Sequence, residues 1–180
     1  MFNNISKHYP PFLELIPFCC LIFAWFYAIG QYPHLPASIP THFGFDGSAD
    51  AWSDKGFLSV YLLPLITTVV YIMDFSINIA IMNSKDPRKF VNLPIDKNAI
   101  VDEKTIEVIR TNTARFMYII NLLVTGFLTY INYGAIQAGL GSTKGINSFL
   151  SIFFIAALLI ITILFTVKIM KLQKEALAKK

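Results

Sequence analysis

The sequence predicts an all-α, polytopic membrane protein: four transmembrane helices with a structured outer loop between helices one and two. Three observations predict it. Of 180 residues, 55% are hydrophobic and only 14% are charged, against about 25% charged in an ordinary soluble domain. Four apolar runs are each long enough to cross a hydrocarbon core, which takes about 20 helical residues. The Lys and Arg residues are grouped between those runs rather than spread over a surface. A chain of this size in water needs more polar surface than these charges provide. The net charge of +4 therefore reads as membrane topology. No nucleic-acid partner is expected.

The first run covers about Phe12 to Ile29. Lys7 is the only cation before it and Glu14 lies near its start, so it makes a poor secretory signal and is expected to remain as an uncleaved helix. Cys19 and Cys20 are adjacent within it, with no distant cysteine to pair with. They read as two small apolar residues, with reversible lipidation as the alternative. The second run extends from Phe57 to about Met82, the third from about Phe116 to Ala138, and the fourth from Phe149 to about Val167. Backbone polar groups in lipid must find partners within their own segment, so each run should be helical.

Between runs two and three, Asn92-Leu93-Pro94 reads as a turn. Asp102 to Arg115 then reads as a helix leading into the third span. Its acids come early (Asp102, Glu103, Glu107) and its cations late (Arg110, Arg115), as the helix dipole favours. The tail from Lys168 to Lys180 continues the fourth helix, with lysines that snorkel toward anionic lipid. The chain divides into a two-helix unit with the outer loop (1–83), an inner loop with the helix entering span three (84–115), and a helical hairpin with a basic tail (116–180).

Cations in short loops set orientation. Placing both termini inside puts thirteen of the fifteen Lys and Arg residues inside and only Lys55 and Lys144 outside. The expectation is a multi-pass protein of the cell membrane with both termini cytoplasmic.

The loop from Gln31 to Gly56 is then outside, and it carries the densest signal. Pro33, Pro36 and Pro40 restrict its approach to extended backbone. Gly44 and Gly47 flank Asp46 and suit tight turns. Trp52 suits an interfacial aromatic, and Ser53 or Asp54 suits the N-cap of the second helix. The string Leu35-Pro-x-x-Ile-Pro-x-His-Phe-x-x-x-Gly-x-x-Asp-x-Trp-x-x-Lys55 resembles the motif of the bacterial domain-of-unknown-function family sixteen-forty-eight, over roughly Phe12 to Met82. That domain is the N-terminal part of SdpI-type membrane proteins. The resemblance implies immunity to a secreted toxic peptide, or signalling, with Pro36, Pro40, His42, Phe43, Gly47, Asp50, Trp52 and Lys55 as motif residues. SdpI-type proteins carry more spans after this domain, whereas two follow here. Asp46 lies inside the motif without matching it.

Read for chemistry, the loop is expected to hold no cofactor; the alternative is a divalent metal, for which His42, Asp46 and Asp50 are the candidate ligands. The simpler reading is structural: His42 bonding the loop backbone and Asp50 capping a turn beside Trp52. Within the spans, Glu14, Asp74, Asn78 and Asn121 are the polar residues to account for, because ionisable groups in lipid face a partner or a cavity. Asp74 is expected to bond Asn78, Asn121 or Thr125, with Asn112 and Arg115 as further partners, or else to serve as an ion or proton site. Tyr71, Tyr118, Tyr130 and Tyr133 extend the same polar seam.

Three functional classes follow. The leading one is a non-enzymatic protein whose outward loop recognises a peptide toxin or regulatory protein. The second is a membrane-embedded metal-dependent hydrolase or transferase using His42 and the loop carboxylates. The third is a small ion- or proton-coupled transporter subunit using Asp74, for which a homo-oligomer would be needed.

Overall fold

The computed structural model describes residues 5–90 and 101–178. Four long helices run α1 (Leu15–Gln31), α2 (Phe57–Asn83), α3 (Glu103–Gly139) and α4 (Ser148–Ala178). All four lie in segments long and apolar enough to cross a membrane, so the chain is a multi-pass membrane protein. Between α1 and α2 the chain forms an antiparallel hairpin of β1 (Ser38–Phe43) and β2 (Ala49–Asp54). The structured loop is thus a two-stranded sheet on an otherwise helical protein. The turn expected at Asn92-Leu93-Pro94 lies outside the described residues.

The helix expected from Asp102 is continuous with the third span. Asp102 is its N-cap, accepting from the Thr105 backbone N–H at 2.9 Å, which satisfies one of the donors a helix start leaves open. The N-cap of α2 differs from the expectation: it is Gly56, not Ser53 or Asp54. The Ser59 hydroxyl accepts from the Gly56 N–H and donates to the Asp54 carbonyl, each at 2.8 Å. Gly56 offers no side chain to the open N–H groups of the first turn; the Ser59 hydroxyl instead ties the N-cap's own N–H to the end of β2.

Helix α3 is the centre of the bundle, packed against α1, α2 and α4. Its sequence explains the position. Asn121, Thr125, Thr129 and Asn132 recur at helical spacing and are all buried. Lipid tails are as apolar as Leu, so helices associate in a membrane through small residues and interhelical hydrogen bonds rather than through greasiness. Thr129 Oγ1 donates to the Cys20 carbonyl at 3.2 Å, and Asn132 Nδ2 donates to the Ala24 carbonyl at 3.1 Å. Ala24 and Ala28 of α1 have no exposed surface. Trp25 Nε1 donates to Thr68 Oγ1 at 2.9 Å, joining α1 to α2. The large apolar side chains point away: Phe26 is 71% and Leu164 63% exposed, as lipid-facing residues should be.

The end that carries both termini is closed by a segment that the hydrophobic pattern did not mark. Ile5 and Tyr9 are buried against Met82, Ala114 and Tyr118, and His8 between them in sequence is buried as well. His8 Nδ1 lies 3.0 Å from Thr111 Oγ1, and Arg115 Nε donates to the His8 carbonyl at 2.8 Å. Arg110 donates to the Met82 and Ser84 carbonyls, capping the C-terminal end of α2.

Candidate functional site

The opposite end is built around the hairpin. Its β1 strand rests on the last turn of α3, because Gly139 there has no side chain. A Cβ at Gly139 would lie 3.0 Å from Leu35 Cδ2 and 3.4 Å from Pro40 Cδ. Leu35, Ile39 and Pro40 are accordingly buried, while Pro36 is exposed. Lys55 fixes the other side of the loop. Its Nζ donates to the Leu35 carbonyl at 2.7 Å and lies 5.2 Å from the centroid of the Tyr32 ring. Its backbone N–H donates to the Ala37 carbonyl at 2.7 Å.

The hairpin tip is stitched to the second loop on the same side. Gly47 has φ +84°, a conformation that L side chains rarely adopt, and its carbonyl accepts from the Ile146 N–H at 2.9 Å. Ser48 and Gly145 form an isolated antiparallel bridge. A Cβ at Gly145 would fall 1.9 Å from the Gly47 carbonyl oxygen, so the two loops meet backbone to backbone.

Register shifts on either side of His42 leave Thr41 and Asp50 without direct partners across the ladder. Such bulges re-aim side chains. Here they bring His42 Nδ1 within 2.5 Å of Asp50 Oδ1. His42 therefore bonds a carboxylate, where a backbone partner was the structural expectation. Both side chains are exposed, at 69% and 49%, so the pair adds little to stability. Asp46 faces elsewhere, accepting from the Ser48 N–H at 3.0 Å and the Ser48 hydroxyl at 2.7 Å. Those bonds hold its carboxyl below the usual range. Among the described residues no group of three His, Cys, Asp or Glu side chains is placed to hold a metal ion. His42 and Asp50 are together, and Asp46 is occupied locally.

The outer face of the hairpin also shows Trp52, 52% exposed, and Phe45, 92% exposed. Phe43 is half-buried. Sequence reasoning passed over Phe45. Its position in a four-residue turn between Gly44 and Gly47, too tight to fold back over an aromatic ring, was the available signal.

The intramembrane polar residues separate into distinct groups. Glu14 joins the N-terminal segment: Tyr9 OH donates to Glu14 Oε1 at 2.6 Å, and Asn78 Nδ2 donates to Tyr9 OH at 2.8 Å. Among the described residues, Glu14 Oε2 and Asn78 Oδ1 are buried without a hydrogen-bond partner. Asn78 thus bonds Tyr9, not Asp74. Asp74 is buried with no hydrogen bond or ion pair among the described residues. Asn121 accepts from Thr125 at 3.1 Å. Arg115 and Asn112 bond the carbonyls of His8 and Val108 rather than reaching Asp74. Tyr118 packs on Tyr9, Tyr71 on Phe18 and Phe75, and Tyr130 both accepts from and donates to the Asn147 backbone. Tyr133 accepts from Gln137. The expected seam is therefore broken into separate local arrangements.

Residues 19–68 match the family model described as Domain of unknown function (DUF1648). The match runs from α1 through the whole hairpin and into α2. No curated protein and no solved structure matches the chain.

Proposed function

We propose that this membrane protein, which carries a DUF1648 domain at residues 19–68, uses its hairpin as an outward recognition element in an SdpI-like immunity or sensing role. The occupant is a peptide toxin or a regulatory protein. One observation carries the reading: the hairpin is held on three sides and open on the fourth. Gly139, Lys55 and the Gly47–Ile146 bond hold it. Its free face presents His42, Asp50 and Trp52, with Phe45 at the tip. Exposed aromatics on a rigid frame are what binding surfaces use, because little entropy is lost on contact. The cation asymmetry supports placing this face outside the cell membrane and both termini in the cytoplasm.

Replacing His42, Asp50 and Trp52 together, with membrane levels of the protein checked, tests the role. The expected result is increased sensitivity to a secreted toxic peptide that the unaltered protein resists. Unchanged resistance to every such peptide rejects the reading. Orientation is tested separately with Ala51→Cys beside His42, in a chain whose Cys19 and Cys20 are replaced by Ala. A membrane-impermeant thiol reagent should label intact cells.

The His42–Asp50 contact also favours a second reading, an outward-facing enzyme. A carboxylate orienting an imidazole is a pairing used for proton transfer and for metal ligation. Stoichiometric zinc in the purified protein, lost in His42→Ala, would select it.

A further inference from the structure

We propose that the cleft between α3 and α4, at the end bearing both termini, binds one anionic phospholipid. The phosphate lies between Arg115 and Lys168, and an acyl chain runs down the apolar wall below them. The site is independent of the hairpin and of what the hairpin recognises.

Depth is the first argument. Arg115 immediately precedes the apolar run of α3, and Lys168 immediately follows that of α4. The two helices are antiparallel neighbours, so both cations come to the mouth of one cleft of about 290 Å³. That level is the boundary between headgroups and hydrocarbon, where a lipid phosphate resides.

Charge is the second. Among the described residues, Arg115, Lys168 and the Asn112 amide are the polar side chains lining the cleft, and no carboxylate lines it. Neither cation has an ion-pair partner among the described residues. Arg115 is nevertheless held in place, because its Nε donates to the buried His8 carbonyl. The terminal nitrogens of the guanidinium remain to meet an oxyanion, which a planar fork does well.

Shape is the third. Phe116 and Phe165 stack at 3.9 Å with 5° between their planes, closing the floor under the cations. Ile119, Ile161 and Leu164 continue the wall. The side of α4 away from α3 is exposed throughout its apolar stretch, so a chain can enter from the bilayer without displacing a helix. A cationic mouth above an apolar trough fits an amphiphile with a negative head and excludes a purely aqueous anion.

The test uses the full chain extracted from vesicles of phosphatidylglycerol and phosphatidylcholine mixed equally, with bound lipid identified by native mass spectrometry. The expected result is preferential retention of one phosphatidylglycerol. Lys168→Gln should lower that preference about fivefold, the effect of one cation near a charged lipid surface. Ile161→Trp, which fills the trough and leaves both cations intact, should abolish retention. Lys174→Gln, further along the exposed tail, should leave it unchanged. Equal retention of both lipids overturns the proposal. So does an unaltered preference in Lys168→Gln, or a loss in Lys174→Gln as large as in Lys168→Gln. If Ile161→Trp fails to fold, Lys168→Gln at its exposed position still decides.

Discussion

The Lys55 ammonium donates to the Leu35 carbonyl at 2.7 Å while lying over the Tyr32 ring. The contact closes the hairpin from beneath. It joins the segment leading into α2 to the turn just after α1, so the two spans and the loop between them form one unit. Lys55→Met should keep the apolar stem and lose the donor. A hydrogen bond from a charged group is worth about 1.5–3 kcal/mol, and partial exposure reduces this to about 1 kcal/mol. Hydrogen exchange of the hairpin amides should quicken about fivefold, with the helix amides unaffected.

Gly145 and Gly141 lie in the same loop and should respond differently. A Cβ at Gly145 would strike the Gly47 carbonyl, whereas one at Gly141, with φ +74°, meets nothing within 4 Å. Gly141→Ala should cost about 1 kcal/mol from backbone strain. Gly145→Ala should cost roughly 3 kcal/mol or detach the hairpin from the loop. Thermal denaturation in detergent, run on both variants, checks the order.

Tyr9 holds Glu14 and Asn78 together through one hydroxyl. Tyr9→Phe keeps the ring against Tyr118 and leaves two buried polar groups without that partner. The expected loss is about 2–3 kcal/mol of stability. A melting temperature equal to that of the unaltered protein would show that the contact carries no weight.

His8 should make stability depend on pH. Burial, with Arg110, Lys7 and Arg115 nearby, lowers its pKa from 6.5, and Glu107 only partly opposes this. The unfolded chain therefore binds a proton at a pH where the folded chain does not. Stability should be full above pH 6.5 and fall as pH drops through that value. His8→Asn should flatten the profile between about pH 7.5 and 5.5. Carboxylates such as Asp86, held low by Arg88, act only in more acidic solution.

Much of this architecture was legible because lipid makes simple demands. Run length gave the spans, and the order of charges from Asp102 to Arg115 gave the extension of α3. The prolines and Gly44 and Gly47 gave an extended loop with a tight turn. What could not be read were contacts between segments distant in sequence. Nothing local to Ile5, His8 and Tyr9 shows that they close the bundle, since their partners lie on α2 and α3. Four residues separate Asn78 from Asp74 on one helix, which makes Asn78 a candidate partner beside Asn121 and Thr125, yet Tyr9 arrives from another segment and takes the amide. The pairing of His42 with Asp50 depends on two register shifts, which no residue pattern specifies. Gly145 was visible, but its reason for being glycine lies in the other loop.

The bond from Ile146 to Gly47 has a mechanical consequence. Ile146 stands two residues before α4, the helix whose apolar stretch has no buried residue and which leans on α3. A push on the hairpin tip is thus delivered through this backbone seam, with the Ser48–Gly145 bridge and the Ala49 N–H to Lys144 carbonyl bond beside it, to the least braced strut of the assembly. Its far end emerges on the other side of the bilayer as a lysine-studded rod, so tilting at one surface would be displayed at the other.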